Sequence, residues 1–220
     1  MEKNTKLGYV VLDDTDKVII ESYKTAVKGI ANIFGKYCEV LVHSLDNYEH
    51  AVLFIENGHN SSRNIGAPIT DLALELINGA HKNKKFLKPY ESKFPNGDIC
   101  KSVTIPIKNK DKLIGLLCIN INMEVSLMDF MEDFSIKNKN EDNHYENYSS
   151  NIDDMIKSIL NKNVNDIILD MSIPNQEKNK KIILKLHKIG FFNLKGSVEA
   201  LAEKLHISVH TVYSNIRKYT

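Results

Sequence analysis

The 220-residue sequence predicts an α+β fold: a five-stranded antiparallel sheet with helices on one face, followed by a small all-α domain. Two observations predict this fold. Across residues 1–131, apolar side chains repeat with helical and strand periods in the order helix, β-hairpin, helix and three-stranded meander. Across residues 174–220 the spacing is helical throughout, which indicates a separate domain of helices.

The first helix and the first hairpin are predicted from residues 13–55. The acidic segment 13–15 can cap a helix, and Gly35 can end it in a left-handed conformation. Segments 38–45 and 51–55 are rich in β-forming residues and are separated by polar residues, so they predict a hairpin. The apolar stripe of the helix consists of Ile19, Tyr23, Val27, Ile30 and Phe34.

A polar loop and a second helix follow this hairpin. Residues 56–64 are too polar to form a core element, and Thr70 or Asp71 can cap the helix that comes next. Its apolar residues are Leu72, Ala73, Leu76 and Ile77.

Three further strands complete the sheet. Strands 89–93 and 99–107 are joined by a turn at 95–98, whose Asn-Gly pair tolerates positive φ. Strand 113–122 is apolar on both faces, which predicts a central position. The second of these strands alternates, with Ile99, Val103, Ile105 and Ile107 on one face and Cys100, Ser102 and Thr104 on the other.

The connector between the two domains spans residues 132–173. Its first part, 132–151, is rich in Asn and acidic residues and predicts a flexible linker. An amphipathic helix follows and must bury its stripe: it packs on the first domain of its own chain, or pairs with a second copy for dimerisation and signalling, and simple intramolecular packing is the plainer alternative. The stripe consists of Ile152, Met155, Ile156, Ile159, Leu160, Val164, Ile167, Ile168 and Met171.

Residues 174–220 have the spacing of a helix-turn-helix. A helix beginning at Pro174 and ending at Gly190 precedes a second helix at 198–205. Ser208 can cap the last helix, which follows a turn at 206–207. The core positions of the motif are Val198, Leu201, Ala202, Leu205, Ile207, Val212 and Ile216.

The charge of the chain is divided unevenly. The whole sequence has a net charge of +1, from 29 basic and 28 acidic residues, which by itself argues against a nucleic-acid binder. From Pro174 onwards, however, nine Lys and Arg face three Glu, a balance of +6, and the first 173 residues carry −5. This asymmetry indicates an acidic body with an appended nucleic-acid module.

Several other classes of protein are not supported. The polar N-terminus predicts no signal peptide, and no apolar run is long enough for a membrane helix, so a cytoplasmic protein without membrane contact is expected. The three cysteines Cys38, Cys100 and Cys118 are far apart and predict reduced, buried thiols. No metal-binding motif is present, and no metal site is predicted.

Three segments resemble a known family. They are Gly35–His43; Ile55–His59 with Arg63 and Gly66–Asp71; and Ile114–Asn120. Together with the C-terminal motif, they resemble the YheO-like PAS-domain transcription regulators, which end in a DauR-type helix-turn-helix. The resemblance covers nearly the whole chain and implies a PAS-like sensor domain at 1–131, a DNA-binding domain at 174–220 and a regulatory role. It implies no particular ligand.

A small-molecule pocket is predicted between the sheet and the helices, closed by the polar loop. Arg63 can grip a carboxylate with two hydrogen bonds, and loops of this kind often carry function. Each of these residues can equally serve a structural role. The candidate ligand-binding residues are His43, Asn57, His59, Arg63, Asp71, Lys101, Ser102 and Asn120.

Catalysis and cofactor use have little support in the sequence. No nucleophile signature or phosphate-binding loop accompanies the Cys and His residues, so no catalytic residue and no cofactor are predicted. An exposed Cys or Ser within hydrogen-bond reach of a His would change this interpretation.

The last helix is predicted to read double-stranded DNA. Its N-terminal side chains would meet base edges in the major groove, with His210 and Ser214 as the base-contacting candidates. The family pattern has Arg at the positions of Val209 and Ser214 and Gly at that of His206, so operator preference should differ and His206 should be left-handed. The candidate DNA-binding residues are Lys195, Ser197, Ser208, His210, Thr211, Tyr213, Ser214, Arg217 and Lys218. A trihelical protein-binding module is the alternative interpretation.

Taken together, the sequence predicts a homodimeric transcription regulator whose PAS-like domain senses an unknown small-molecule effector and controls the helix-turn-helix. The alternative is that the PAS-like domain binds no metabolite and serves as a dimerisation or protein-interaction scaffold. A buried cavity with Arg63 or His59 pointing into it would favour the sensor.

Overall fold

The computed structural model describes residues 10–77, 88–135, 146 and 148–218. The chain folds as two compact units, which divide between Lys139 and Asn140. The limits predicted from sequence for three segments, 1–131, 132–173 and 174–220, remain predictions.

The first unit contains one antiparallel sheet with the order β2-β1-β5-β4-β3. The predicted α+β class is confirmed, and so is the central position of β5. Its elements are α1 (Asp14–Phe34), β1 (Cys38–Ser44), β2 (Val52–Glu56), α2 (Asp71–Ile77), β3 (Tyr90–Lys93), β4 (Ile99–Asn109), β5 (Lys112–Asn122) and α3 (Leu127–Phe134).

Helices cover both faces of this sheet, so the expectation that all helices lie on one face is wrong. Helix α1 packs on Val40 and Val42 of β1. Ala73 of α2 packs with Leu41 and Leu116, which point to the other face. The reason is that β1 and β5 carry apolar side chains on both faces, and each face must be shielded from water.

The chain after β5 departs from the linker predicted at 132–151. Ser126 caps α3 by accepting a hydrogen bond from the backbone N–H of Asp129 at 3.1 Å, and the helix continues to Phe134. Most of the predicted linker, residues 136–145 and 147, lies outside the described residues.

The second unit is built from helices around one core. Its elements are α4 (Ile152–Leu169), α5 (Asn175–Lys188), a 3₁₀ turn (Phe191–Asn193), α6 (Ser197–Leu205) and α7 (Val209–Ile216). Helix α4, predicted as a connector, packs against α5 and α6. Its buried stripe of Ile156, Leu160, Val164 and Ile167 therefore belongs to the core of the C-terminal helices.

Candidate ligand cavity and nucleic-acid interface

A cavity of about 230 Å³ lies in the first unit, on the face of the sheet opposite α1. Strands β1, β4 and β5 form its floor, and residues from the 61–72 segment and from β3 form its rim. Successive side chains of a strand point to opposite faces, so Glu39, Leu41 and His43 of β1 all reach the cavity.

The floor of the cavity is polar because the sheet register aligns polar residues across three strands. Glu39 of β1 lies opposite Asn120 of β5, which lies opposite Ser102 of β4. In the next row, Cys118 of β5 lies opposite Thr104 of β4. A buried floor of this composition can bind a polar ligand in defined directions.

Glu39 is a buried acid on the β1 side of this floor, and both of its carboxylate oxygens accept hydrogen bonds. Its residue exposure is 1%. The Asn120 side-chain amide donates to Oε1 at 3.0 Å, and the Ser61 hydroxyl donates to Oε2. Neither Glu39 nor Ser61 is among the candidates predicted from the sequence, although an acid directly before the apolar run Val40–Val42 of a strand is unusual and could have indicated the site.

A chain of polar contacts crosses the floor and ends at His43. Tyr90 Oη and Thr104 Oγ1 are 2.9 Å apart. Thr104 Oγ1 and Cys118 Sγ are 3.8 Å apart, as are Cys118 Sγ and His43 Nδ1. His43 is 1% exposed, and its Nε2 has no hydrogen-bond partner among the described residues.

The surroundings of His43 and Cys118 favour the neutral form of both side chains. Burial, with a smaller contribution from Arg63, lowers the pKa of His43 to about 3. Burial raises the pKa of the Cys118 thiol to about 11. A catalytic cysteine needs an accessible thiolate, so this buried Cys-His pair does not have the form that sequence analysis named as a sign of catalysis.

Arg63 lines the cavity from the loop side. The loop turns through positive φ at Asn57 and Ser62, and the backbone N–H of Arg63 donates to the carbonyl oxygen of Gly58 at 3.1 Å. The guanidinium donates to the carbonyl oxygen of Pro68. Burial lowers the pKa of Arg63, and the negative charge of Glu39 opposes this shift.

The structure brings together five of the eight candidate ligand-binding residues, namely His43, Arg63, Asp71, Ser102 and Asn120. The other three lie outside the cavity. Lys101 is exposed and points to the opposite face from its neighbour Ser102. His59 is exposed, and Asn57 donates to the carbonyl oxygens of Gly35 and Cys38 at 2.9 and 2.8 Å, which is a structural role. The lining residues that sequence analysis missed include Glu39, Ser61, Tyr90, Thr104 and Cys118.

In the second unit, α6 and α7 are joined by a tight turn. His206 has φ 53° and ψ 43°, so the predicted left-handed conformation is confirmed. The backbone N–H of Ile207 donates to the carbonyl oxygen of Ala202 at 3.0 Å, which closes α6. Ser208 Oγ accepts from the backbone N–H of Thr211 at 3.0 Å, as its predicted capping role requires.

Helix α7 presents a polar surface to solvent while Val212 is buried in the core. Eight of the nine candidate DNA-binding residues are exposed: Lys195, Ser208, His210, Thr211, Tyr213, Ser214, Arg217 and Lys218. Ser197 differs from them, because it is only 1% exposed and sits at the start of α6 facing the core. Its hydroxyl therefore does not lie at the surface where a phosphate could reach it.

The comparison with family models agrees with both units. Residues 13–136 match the YheO-like PAS domain. The chain belongs to the YheO-like PAS-domain family. Residues 159–217 of this YheO-like protein match an HTH domain, and this range includes most of α4. The match agrees with the packing of α4 on α5 and α6, and the family resemblance seen in the sequence is confirmed.

Three relatives match this YheO-like chain over nearly its whole length. An uncharacterised protein of Haemophilus influenzae is 38% identical over 93% of this chain and 93% of its own. The protein YheO of Escherichia coli is 34% identical over 94% of this chain and 87% of its own. The transcriptional regulator DauR of Pseudomonas aeruginosa is 24% identical over 90% of this chain and 93% of its own.

Among the described residues of this YheO-like chain, no helix combines the length and apolar character needed to span a membrane. Within the same part of the chain, no group of three or more His, Cys, Asp or Glu side chains is arranged to hold a metal ion.

Proposed function

We propose that this chain is a DNA-binding transcription regulator of the bacterial cytoplasm, in which occupancy of the PAS-domain cavity by a small molecule controls the helix-turn-helix. The observation that carries the proposal is the pairing of a half-open cavity with a buried polar floor in one unit with an exposed, capped helix α7 in the other. We further propose that the chain acts as a homodimer, because a two-fold protein matches the pseudo-palindromic operators that helix-turn-helix proteins commonly read.

The DNA-binding part of the proposal rests on α7. Its exposed side chains His210 and Ser214 can meet base edges, and Arg217 and Lys218 can reach phosphates. The excess of basic residues after Pro174 supplies the sequence-independent attraction to the phosphate backbone. The name of the relative DauR, a transcriptional regulator, supports the same role.

The sensing part of the proposal rests on the cavity. A concave site with several converging polar side chains is the usual form of a small-molecule site, and a scaffold that binds no metabolite has no need of one. Arg63 lines this cavity, as the sensor interpretation requires, whereas His59 does not. The cavity therefore favours the sensor over the scaffold.

The DNA-binding part is tested by incubating the purified full chain with genomic DNA fragments, recovering the bound fragments and footprinting them. We expect discrete protected sites with two half-sites about one helical turn apart. His210→Ala and Ser214→Ala should change the preferred bases at particular positions. Lys101→Gln, an exposed change in the first unit, is the control and should leave the preferred sequence unchanged. Fragments recovered without sequence preference would contradict the proposal.

A further inference from the structure

Two apolar side chains, Val209 and Tyr213, stand on the exposed surface of helix α7. Val209 is 37% exposed and Tyr213 is 44% exposed. Among the described residues, neither is part of the hydrophobic core, which α7 joins through Val212 and Ile216. Residues four apart are neighbours on one side of a helix, so the two side chains lie next to each other. Single exposed apolar residues are common, but such a pair on a short helix with an otherwise polar surface indicates a contact surface.

Three polar side chains of the same segment are engaged within the helix itself. Ser208 Oγ and Thr211 Oγ1 are 2.8 Å apart, and Ser208 Oγ also accepts from the backbone N–H of Thr211. Asn215 Nδ2 donates to the carbonyl oxygen of Thr211 at 2.9 Å. These bonds stabilise the helix and so fix the positions from which Val209 and Tyr213 project.

Arg217 extends the row that begins with Val209 and Tyr213, because it follows Tyr213 by four residues and keeps a helical backbone. In a helix-turn-helix complex, the N-terminal residues of the last helix meet base edges, and cations bind the phosphates beside the groove. The row carries apolar groups at the end that meets bases and a positive charge at the other end. From Pro174 onwards, nine Lys and Arg against three Glu favour a polyanion over an apolar protein surface as the partner.

Double-stranded DNA offers one apolar group to this row in the major groove. Thymine carries a C5-methyl group there, and the other bases carry none. Contact with this methyl group removes apolar surface of Val209 and Tyr213 from water, which is favourable. Building on the DNA-binding function proposed above, we propose that Val209 and Tyr213 contact thymine methyl groups, so that the operator requires thymine at the positions they reach.

Replacement of thymine by deoxyuridine tests this proposal, because it removes the methyl group and keeps every hydrogen-bonding group of the base. The full chain is titrated by fluorescence anisotropy with operator duplexes in which thymines are replaced one at a time. Replacement at particular positions of each half-site should weaken binding about fourfold, as expected for one buried methyl group. Replacement elsewhere should leave the affinity unchanged. If even complete replacement leaves the affinity unchanged, the proposal is wrong.

Protein variants show whether the loss of affinity with deoxyuridine comes from these two side chains. Val209→Ala and Tyr213→Ala should bind the thymine operator more weakly, and each should abolish the loss at one sensitive position or more. Tyr213→Phe keeps the ring and should keep the loss. His210→Ala, beside Val209 on the same helix, is the matched control and should also keep it. An equal loss in Val209→Ala, Tyr213→Ala and the wild type would assign the effect to DNA deformability and overturn the proposal.

The outcomes keep this inference distinct from the DNA-binding function itself. If no discrete genomic sites are recovered, both fail. If discrete sites are recovered and deoxyuridine binds as well as thymine, the DNA-binding function stands and the methyl contact fails. If Val209→Ala and Tyr213→Ala alter the sedimentation coefficient of the free chain and deoxyuridine has no effect, the pair is a contact between proteins, which also overturns the proposal. The deoxyuridine measurement uses the unchanged protein, so it decides the question even where a variant does not fold.

Discussion

The carboxylate of Asp133 in α3 accepts a hydrogen bond from the backbone N–H of Lys36, directly after the end of α1. The carbonyl oxygens of the same short segment accept hydrogen bonds from the loop of the cavity. Asn57 donates to the carbonyl of Gly35 and Asn60 to that of Lys36, each at 2.9 Å. One backbone segment is therefore bonded to both the cavity loop and α3.

This arrangement offers a physical route from the cavity to α3. Ser61, next to Asn60, donates to Glu39 on the cavity floor. We expect a ligand that displaces Ser61 to move the loop and with it the segment that holds α3.

Gly35→Ala should destabilise the first unit strongly. Gly35 has φ 81° and ψ −170°, a conformation essentially restricted to glycine, and an added Cβ would overlap the Asp133 carboxylate. Strain and the lost hydrogen bond to Lys36 together predict a decrease of about 2–4 kcal/mol in the free energy of unfolding, measured with urea.

Two further variants control this prediction. Asp133→Ala removes the overlapping group, so the double variant should lose less stability than the sum of the single changes. Gly29→Ala, in α1 with no atom beyond the adjoining helix backbone within 4 Å of the added Cβ, should stabilise by about 0.5–1 kcal/mol. If the stability losses of Gly35→Ala and Asp133→Ala simply add in the double variant, the overlap between the added Cβ and the Asp133 carboxylate is contradicted.

Acid should weaken the first unit through Asp16. Its buried side chain pairs with Lys112 and accepts a hydrogen bond from Asn109 at 2.8 Å, and these contacts lower its pKa to about 2. The lowered pKa means that the fold favours the charged form, so this stabilisation is present above about pH 4, the usual pKa of Asp, and is lost as the pH falls towards 2.

Urea unfolding at a series of pH values measures this effect. Asp16→Asn should be less stable than the wild type near neutral pH, and the difference should shrink as the pH falls from about 4 to 2. Lys112→Gln should remove part of the same dependence. Lys110→Gln removes a positive charge from the same turn but keeps the Lys112–Asp16 ion pair, so the dependence of stability on pH should stay unchanged. A difference that stays constant with pH would disprove the role of Asp16.

His206→Gly should stabilise the second unit by about 1 kcal/mol. A non-glycine residue in the left-handed region is strained, and glycine relieves the strain despite its larger entropy in the unfolded chain. Thermal unfolding measures the change. His210→Gly, in the exposed surface of helix α7, is the matched control and should destabilise by about 1 kcal/mol. A lower melting temperature for His206→Gly would show that the imidazole contributes more than the strain costs.

Lys218→Gln should weaken DNA binding to all sequences alike. Loss of one phosphate contact should reduce the slope of log affinity against log salt by about one. Fluorescence anisotropy of the full chain on its selected site measures the slope, and Lys101→Gln controls for the change in net charge. An unchanged slope would place Lys218 away from the phosphates.

The elements of the fold were predictable because their signals are local. Period-two alternation in β4 and the stripe of α1 each lie within a single segment of sequence. The partner of α4 was not predictable, because an amphipathic stripe shows that a helix is buried but not against which surface. Helix α3 was missed because it is only eight residues long, although five of these residues are apolar.

The candidate site was only partly predictable for a related reason. Lys101 and Ser102 were both assigned to the cavity, although neighbouring residues of a strand point to opposite faces. Glu39 was missed because its place in the candidate site depends on the strand register that aligns it with Asn120, and on the hydrogen bond from Ser61 in a distant loop. Alternation indicates which residues share a face, whereas the register between strands decides which of them meet.

The central claim is that occupancy of the cavity controls DNA binding. The most direct test measures operator affinity of the full chain with and without the small-molecule fraction of the cells that carry its gene. We predict a change of about tenfold or more for the wild type and a much smaller one for Arg63→Gln. Equal operator affinity of the wild type in both conditions, or an equal response from Arg63→Gln, would contradict the account.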